Sequence, residues 1–287
     1  MWENKNLSMK DIINNQQYQY ARMNYLMDEI TACTDIGNTR SKQEDAVLLL
    51  PHLNNPEFKL LAVADGMGGL SFGSKASNLA LLELIKWFQS LSESYYYNET
   101  KIIKEIEFKL HEIDYLIRKS CINGGTTLSL AIVCKNNTIF INIGDSRIYI
   151  HKGSIFEQIS NDHSISYDLF LKGKIKNKDD VRFHKENNLI TSRLGGVKKL
   201  LKIEKIILTN SDYQKVMLFT DGITDCLSDK QLIDNIQNSS SDKTPSEIFV
   251  SLALSTTSEN KTLDLNEYYD IIEAGKDNTT ALVFSKK

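Results

Sequence analysis

The sequence predicts a layered α+β domain, and three observations carry that prediction. Short apolar runs rich in Val, Ile, Leu and Phe, bounded by Asn, Gly, Asp or Pro, recur from about residue 29 onward, which is the signature of strands. Asn136-Asn137 and Lys152-Gly153 each separate two neighbouring runs and read as hairpin turns, so the sheets are antiparallel. Segments with a 3.6-residue apolar period are fewer and longer, as in proteins that stack helices on sheets.

Taken in chain order, residues 1–27 are polar, rich in Asn and Gln and only loosely periodic, and read as an N-terminal extension to a domain spanning 28–287. The runs EITACT, DAVLLL and FKLLAVA then give the first strands. A helix is expected from Lys75 to Leu91, with Leu79, Leu82, Ile85, Trp87 and Phe88 on one face, and a second from Lys101 to Lys119, with Ile102, Ile106, Leu110, Ile113, Leu116 and Ile117. Tyr95-Tyr96-Tyr97 between them reads as packing aromatics rather than a docking site. TLSLAIV, TIFINI and RIYIHK continue the strands, KIEKIIL, KVMLFT and TALVF complete them, and the polar stretch 161–188 reads as a loosely packed insertion. Two shorter helices are expected near Asp229 to Gln237 and Pro245 to Leu254, with Thr244 as N-cap and Pro245 at the first helical position.

Composition narrows the function. With 34 basic and 37 acidic side chains the net charge is −3, which offers no long-range attraction to nucleic acid or an anionic membrane. The four cysteines form no CxxC pair and no His stands at zinc-ligand spacing, so a structural zinc site is excluded. Cys33 and Cys134 fall in apolar runs, as buried thiols of a reducing compartment do. A cytoplasmic location is therefore expected; the first residues lack the apolar core of a signal peptide, and no window has the length of a membrane span.

The aspartates carry the chemistry. Asp65 follows LLAVA and precedes Gly66-Met67-Gly68-Gly69; Asp145 follows TIFINIG; Asp221 follows VMLFT; Asp277 precedes Asn278 and TTALVF. A carboxylate at the end of a buried strand is costly unless a cation or hydrogen bonds compensate it. Singly, each Asp-Gly is a turn dipeptide. Jointly, four such acids form an oxygen-only donor set suited to a hard divalent ion such as Mg²⁺ or Mn²⁺.

On these residues the chain resembles the PP2C family of metal-dependent Ser/Thr protein phosphatases, in its compact bacterial form. The matching blocks, in the family's order, are TDIGNTRSKQEDA (34–46), LLAVADGMGG (60–69), GGTTLSLAIV (124–133), NIGDSRIYI (142–150), ISNDHSI (159–165), ITSRLGG (190–196), VMLFTDGITDCLSD (216–229) and KDNTTALVF (276–284). The resemblance implies a four-layer αββα sandwich, two central antiparallel sheets flanked by helices, with the 161–188 insertion as a flap beside the metal cleft. It implies two Mn²⁺ or Mg²⁺ ions held by Asp65, the Gly66 carbonyl, Asp221 and Asp277, a third, weaker ion at Asp145, and Glu44 and Asp45 supporting the site through water or hydrogen bonds. Arg40 is expected to hold the substrate phosphate, since a planar guanidinium can make two parallel bonds to the oxygens on which charge develops. The implied reaction is hydrolysis of phosphoserine and phosphothreonine on proteins by direct attack of a metal-bridging hydroxide on phosphorus.

One position departs from many eukaryotic relatives. Met67 stands where they carry His, a candidate general acid, and a thioether donates no proton. His163 is a substitute, although a lone His at a loop start is more often structural. The implied partners are phosphoproteins and an opposing Ser/Thr kinase, and a monomer is expected. The alternative is a phosphatase-like binding or regulatory protein with little turnover, against which the intact Asp65, Asp221 and Asp277 count.

Overall fold

The computed structural model describes residues 22–27, 29–68, 72–196, 201–237, 243–260, 262–264 and 266–286. Fourteen strands and six α-helices alternate along them. Two sheets form the centre, antiparallel throughout. The first has the order β1 (Arg22–Met27), β2 (Ile30–Asp35), β14 (Thr279–Ser285), β11 (Lys215–Phe219), β8 (Arg147–Lys152), β9 (Ile155–Gln158). The second runs β10 (Glu204–Thr209), β7 (Asn137–Ile143), β6 (Leu128–Val133), β4 (Asn55–Met67), β3 (Asp45–His52), with the short β5 (Gly125–Thr126) beside the end of β4. A separate two-stranded ribbon pairs β12 (Ser258–Glu259) with β13 (Ile271–Ile272). Both expected hairpins are present: Val133 pairs with Thr138, and Lys152 with Ile155 across Gly153, whose φ is +58°.

The period-2 alternation of the strands sorts side chains into layers. On β4, Leu61 and Val63 enter the core between the sheets, and Leu60, Ala62 and Ala64 face the helices α1 (Phe72–Ser90) and α2 (Glu99–Ser120). On β14, Leu282 and Phe284 enter the same inter-sheet core, while Ala281 and Val283 face α4 (Asp221–Thr224), α5 (Asp229–Gln237) and α6 (Pro245–Ala253). The result is helix, sheet, sheet, helix, the sandwich the resemblance implies. Thr244 caps α6 in a capping box with Glu247, and all four cysteines are buried free thiols.

Two boundaries differ from expectation. Arg22–Met27, expected in the N-terminal extension, are an edge strand paired with β2; the remainder of that extension lies outside the described residues. The 161–188 insertion, expected to pack loosely, contains the helix α3 (Ile165–Leu171), capped by the Ser164 hydroxyl, and a 3₁₀ helix at Lys178–Phe183. Tyr167, Ile175 and Val181 form a small core of their own beneath them. Of the tyrosine run, Tyr96 packs against Phe58 and Tyr97 is exposed.

Candidate active site

Strand ends from both sheets place the acids together. Asp45 opens β3 and faces Asp65 across the β3–β4 ladder. Asp221 stands two residues after β11, past Thr220, the N-cap residue of α4, and Asp277 stands two residues before β14. Asp145 lies in the crossover from β7 to β8, where the chain passes between sheets. Glycine at 66 is dictated by packing: a Cβ there would lie 2.3 Å from the Gly73 carbonyl oxygen of α1 and 2.6 Å from that of Glu44.

Burial governs the electrostatics. Asp65 and Asp221 are held well above the usual carboxylate range, first by desolvation and then by each other's neighbours: Asp45, Asp145 and Asp277 raise Asp65; Asp65, Asp277, Asp145 and Asp225 raise Asp221. Asp145 is pushed up to about 8 by burial and by the charges of Asp162 and Asp225. Asp45 rises to about 7 by burial, against the hydroxyls of Thr280 and Thr220, which donate to its Oδ2 at 2.7 and 2.9 Å. Glu44 is raised by burial and lowered by the Ser74 N–H in the first turn of α1.

These residues fit hard cations by chemistry. Asp45 Oδ1, Asp145 Oδ1 and Asp221 Oδ1 are buried with no hydrogen-bond partner, and a buried acceptor left so is costly. The donor atoms are all oxygens, as Mg²⁺ and Mn²⁺ prefer. Among the described residues no three His, Cys, Asp or Glu side chains are drawn into a preformed ligating cluster, so the fit lies in the donor set and its uncompensated burial.

Arg40, half exposed, donates from Nη2 to Asp277 Oδ2 at 2.5 Å. Burial disfavours its charge, but Asp277, Asp221 and Asp65 outweigh that and raise its pKa. His163 is fully buried; its Nδ1 accepts from the Gly144 N–H at 3.1 Å, which leaves the proton on Nε2. Burial, with Lys202 adding to it, lowers its pKa to about 4. His163 is therefore a neutral support for the turn that carries Asp145.

The structure adds residues that the sequence did not single out. Arg147 grips Asp162 through Nε at 2.9 and 3.1 Å and Nη2 at 2.7 Å, both side chains being buried. Asp225, one turn beyond Asp221, rises to about 6 by burial, against Arg147. The flap is fastened beside it: Arg182 Nη1 donates to the carbonyls of Asp225 and Cys226, Asn187 Nδ2 to Asp225 Oδ2, and Lys178 to Asp229 at 2.9 Å. A cavity of about 10 Å³, room for one water, lies between flap and strand ends, lined by Asp145, Arg147, Asp162, Arg182, Asp221 and Asp225 among others. The second acid of TDGITD was the available signal for Asp225. Nothing local marked Arg182, whose partners lie 43 and 44 positions away.

Known proteins resemble this chain in sequence and fold. The sequence profile of the protein phosphatase 2C family matches residues 38–261. The protein phosphatase PhpP of Streptococcus pneumoniae is 29% identical over 211 residues, covering 72% of this chain and 83% of the relative. The serine/threonine phosphatase stp of Listeria monocytogenes is 26% identical over 250 residues, covering 85% of this chain and 97% of the relative. The crystal structure of the serine/threonine phosphatase Stp1 from Staphylococcus aureus superposes with a TM-score of 0.75 at 26% identity, covering 91% of this chain and 96% of that one. The chain belongs to the protein phosphatase 2C family. It is a protein phosphatase of that metal-dependent class, and no helix among the described residues is long and apolar enough to cross a membrane.

Proposed function

We propose that this chain hydrolyses phosphoserine and phosphothreonine on proteins, with Mn²⁺ or Mg²⁺ held by Asp65, the Gly66 carbonyl, Asp221 and Asp277, and a further, weaker ion at Asp145. The observation that carries the reading is the convergence of buried and half-buried carboxylates from both sheets, with buried oxygens on Asp145 and Asp221 that no hydrogen bond satisfies. When bound, the ions supply the neutralising charge and an acidified water nucleophile.

This chain's own residues do the rest. Asp45 ties the Asp65 strand to Thr220 and Thr280, so it fixes the spacing of the two sheets at the site. Glu44 caps the start of α1 through Ser74 and keeps that helix against Gly66. Arg40 binds the phosphate and orients its oxygens, leaving Asp277 for that purpose. Neither Met67, a thioether, nor His163, buried and neutral, serves as proton donor, so the leaving alkoxide is protonated from water in the cleft. The substrates are supplied by a Ser/Thr kinase acting on the same proteins, and the chain works as a monomer.

The test is hydrolysis of a phosphothreonine peptide by EDTA-treated protein titrated with Mn²⁺ and Mg²⁺, beside Asp221→Asn. Turnover should appear only with metal and fall by about a hundredfold or more in the variant. A folded protein silent with both ions would turn the reading toward a phosphoprotein-binding role.

A further inference from the structure

Arg40 sits on residues 36–44, an irregular stretch between β2 and β3. A guanidinium on such an arm is held in a productive place only if the backbone beneath it is fixed from outside. Asn278 does this. Its side chain, 5% exposed, is spent on that stretch: Oδ1 accepts from the Glu44 N–H at 2.8 Å, and Nδ2 donates to the carbonyls of Ile36 and Lys42, each at 2.9 Å.

The other side of Asn278 rests on the catalytic end of the sandwich. Its N–H donates to Asp277 Oδ1 at 2.8 Å, and its carbonyl oxygen lies so close to α4 that a Cβ on Gly222 would come within 2.1 Å of it. A second clasp holds the arm between those points. Asn38 donates from Nδ2 to the carbonyls of Leu254 and Ala274 at 3.1 and 2.9 Å, and from its N–H to Gly275 at 2.7 Å. Between the anchored positions Asn38 and Lys42 stand only Thr39, Arg40 and Ser41.

We infer that Asn278 is a positioning residue for the phosphate-binding arginine: its amide sets the path of residues 36–44 and so aims Arg40 at the Asp277 and Asp221 side of the cleft. The inference rests on the proposed function only for the statement that Arg40 meets phosphate. Asn278 acts through Arg40 and touches no reacting atom.

The test is a double-mutant cycle. Asn278→Ala should raise KM for a phosphothreonine peptide about tenfold with kcat within about threefold, the equivalent of losing one or two net hydrogen bonds. Arg40→Ala should do the same or more, and the double variant should be no worse than Arg40→Ala alone. The Mn²⁺ concentration for half-maximal activity should stay within about twofold of the unsubstituted protein. Additive losses, an unchanged KM, or a shifted Mn²⁺ requirement in place of the KM change would overturn the assignment. If Asn278→Ala does not fold, Asn278→Asp, which keeps the shape and the acceptor but not the donors, should show the same KM rise. If the unsubstituted protein shows no turnover, the proposed reaction fails by itself, and amide hydrogen exchange still decides this point: lost protection over residues 36–44 in the variant supports it, and unchanged protection overturns it.

Discussion

Asp221 shows most plainly what the site costs the protein. Its side chain is half-buried, keeps one fully buried and unpartnered oxygen, Oδ1, and lies within hydrogen-bond reach of Asp65. Its folded pKa is above its unfolded value, as for Asp65, Asp45 and Asp145, the last two standing at about 7 and about 8. Such groups stabilise the fold fully below the unfolded value near 4, and that stability is lost as pH rises through 7 to 8 in metal-free protein. His163 has the opposite sign: lowered to about 4, it stabilises above pH 6.5 and loses that contribution as pH falls toward 4. Between about pH 6.5 and 8.5 the carboxylates therefore act alone. In EDTA, the melting temperature should fall across that interval, and Asp221→Asn should melt about 3 °C or more above the unsubstituted protein at the alkaline end. Scanning calorimetry decides it; a lower melting temperature for the variant there would contradict the account. These acids were legible in the sequence because each abuts an apolar run. Asn278 was not, because Asn after Asp reads as a turn and its partners stand 234 to 242 positions away.

Among the elements, the flap departs furthest from its sequence. Its lysines and acids mask a short amphipathic pattern, so the helix Ile165–Leu171 and the Tyr167–Ile175–Val181 core were not legible from composition. The β1 edge strand, RMNYLM, was hidden because its short alternation follows directly on a long polar stretch and is only six residues long. The flap's base and its tip differ in what they touch. Arg182 and Asn187 bind the base to Asp225 and Cys226, just past the end of α4, whereas Lys172, Lys174 and Lys176 stand on the surface. Replacing Lys172, Lys174 and Lys176 with Ser, which leaves Ile175 in the flap core, should change the relative kcat/KM for different phosphoproteins by about threefold or more while aryl-phosphate hydrolysis stays within about twofold. Parallel loss of both activities would show that the tip supports the site itself rather than choosing substrates.

Across the whole molecule, layer assignment was readable and strand order was not. The alternation on β4 and β14 divides side chains between the inter-sheet core and the helical faces, but no local pattern tells that β14 lies between β2 and β11. Leu61, fully buried between the sheets, lies well inside that core, so Leu61→Ala should cost about 3 kcal/mol in denaturant unfolding and leave kcat of the folded fraction unchanged. A loss of activity per folded molecule would mean that the sandwich transmits packing strain to its catalytic end. The β2–β14 pairing also sets a clock on biosynthesis. Thr34 and Thr280, bonded through their hydroxyls at 2.8 Å, are 246 positions apart, and at ordinary translation speeds roughly 12–50 s separate their emergence. For most of that interval the nascent chain carries Arg40 and Asp65 but neither completes the first sheet nor possesses Asp277. On the proposed reaction, a ribosome-bound fragment lacks one of its metal-holding acids and should gain activity only when nearly the whole domain has been made.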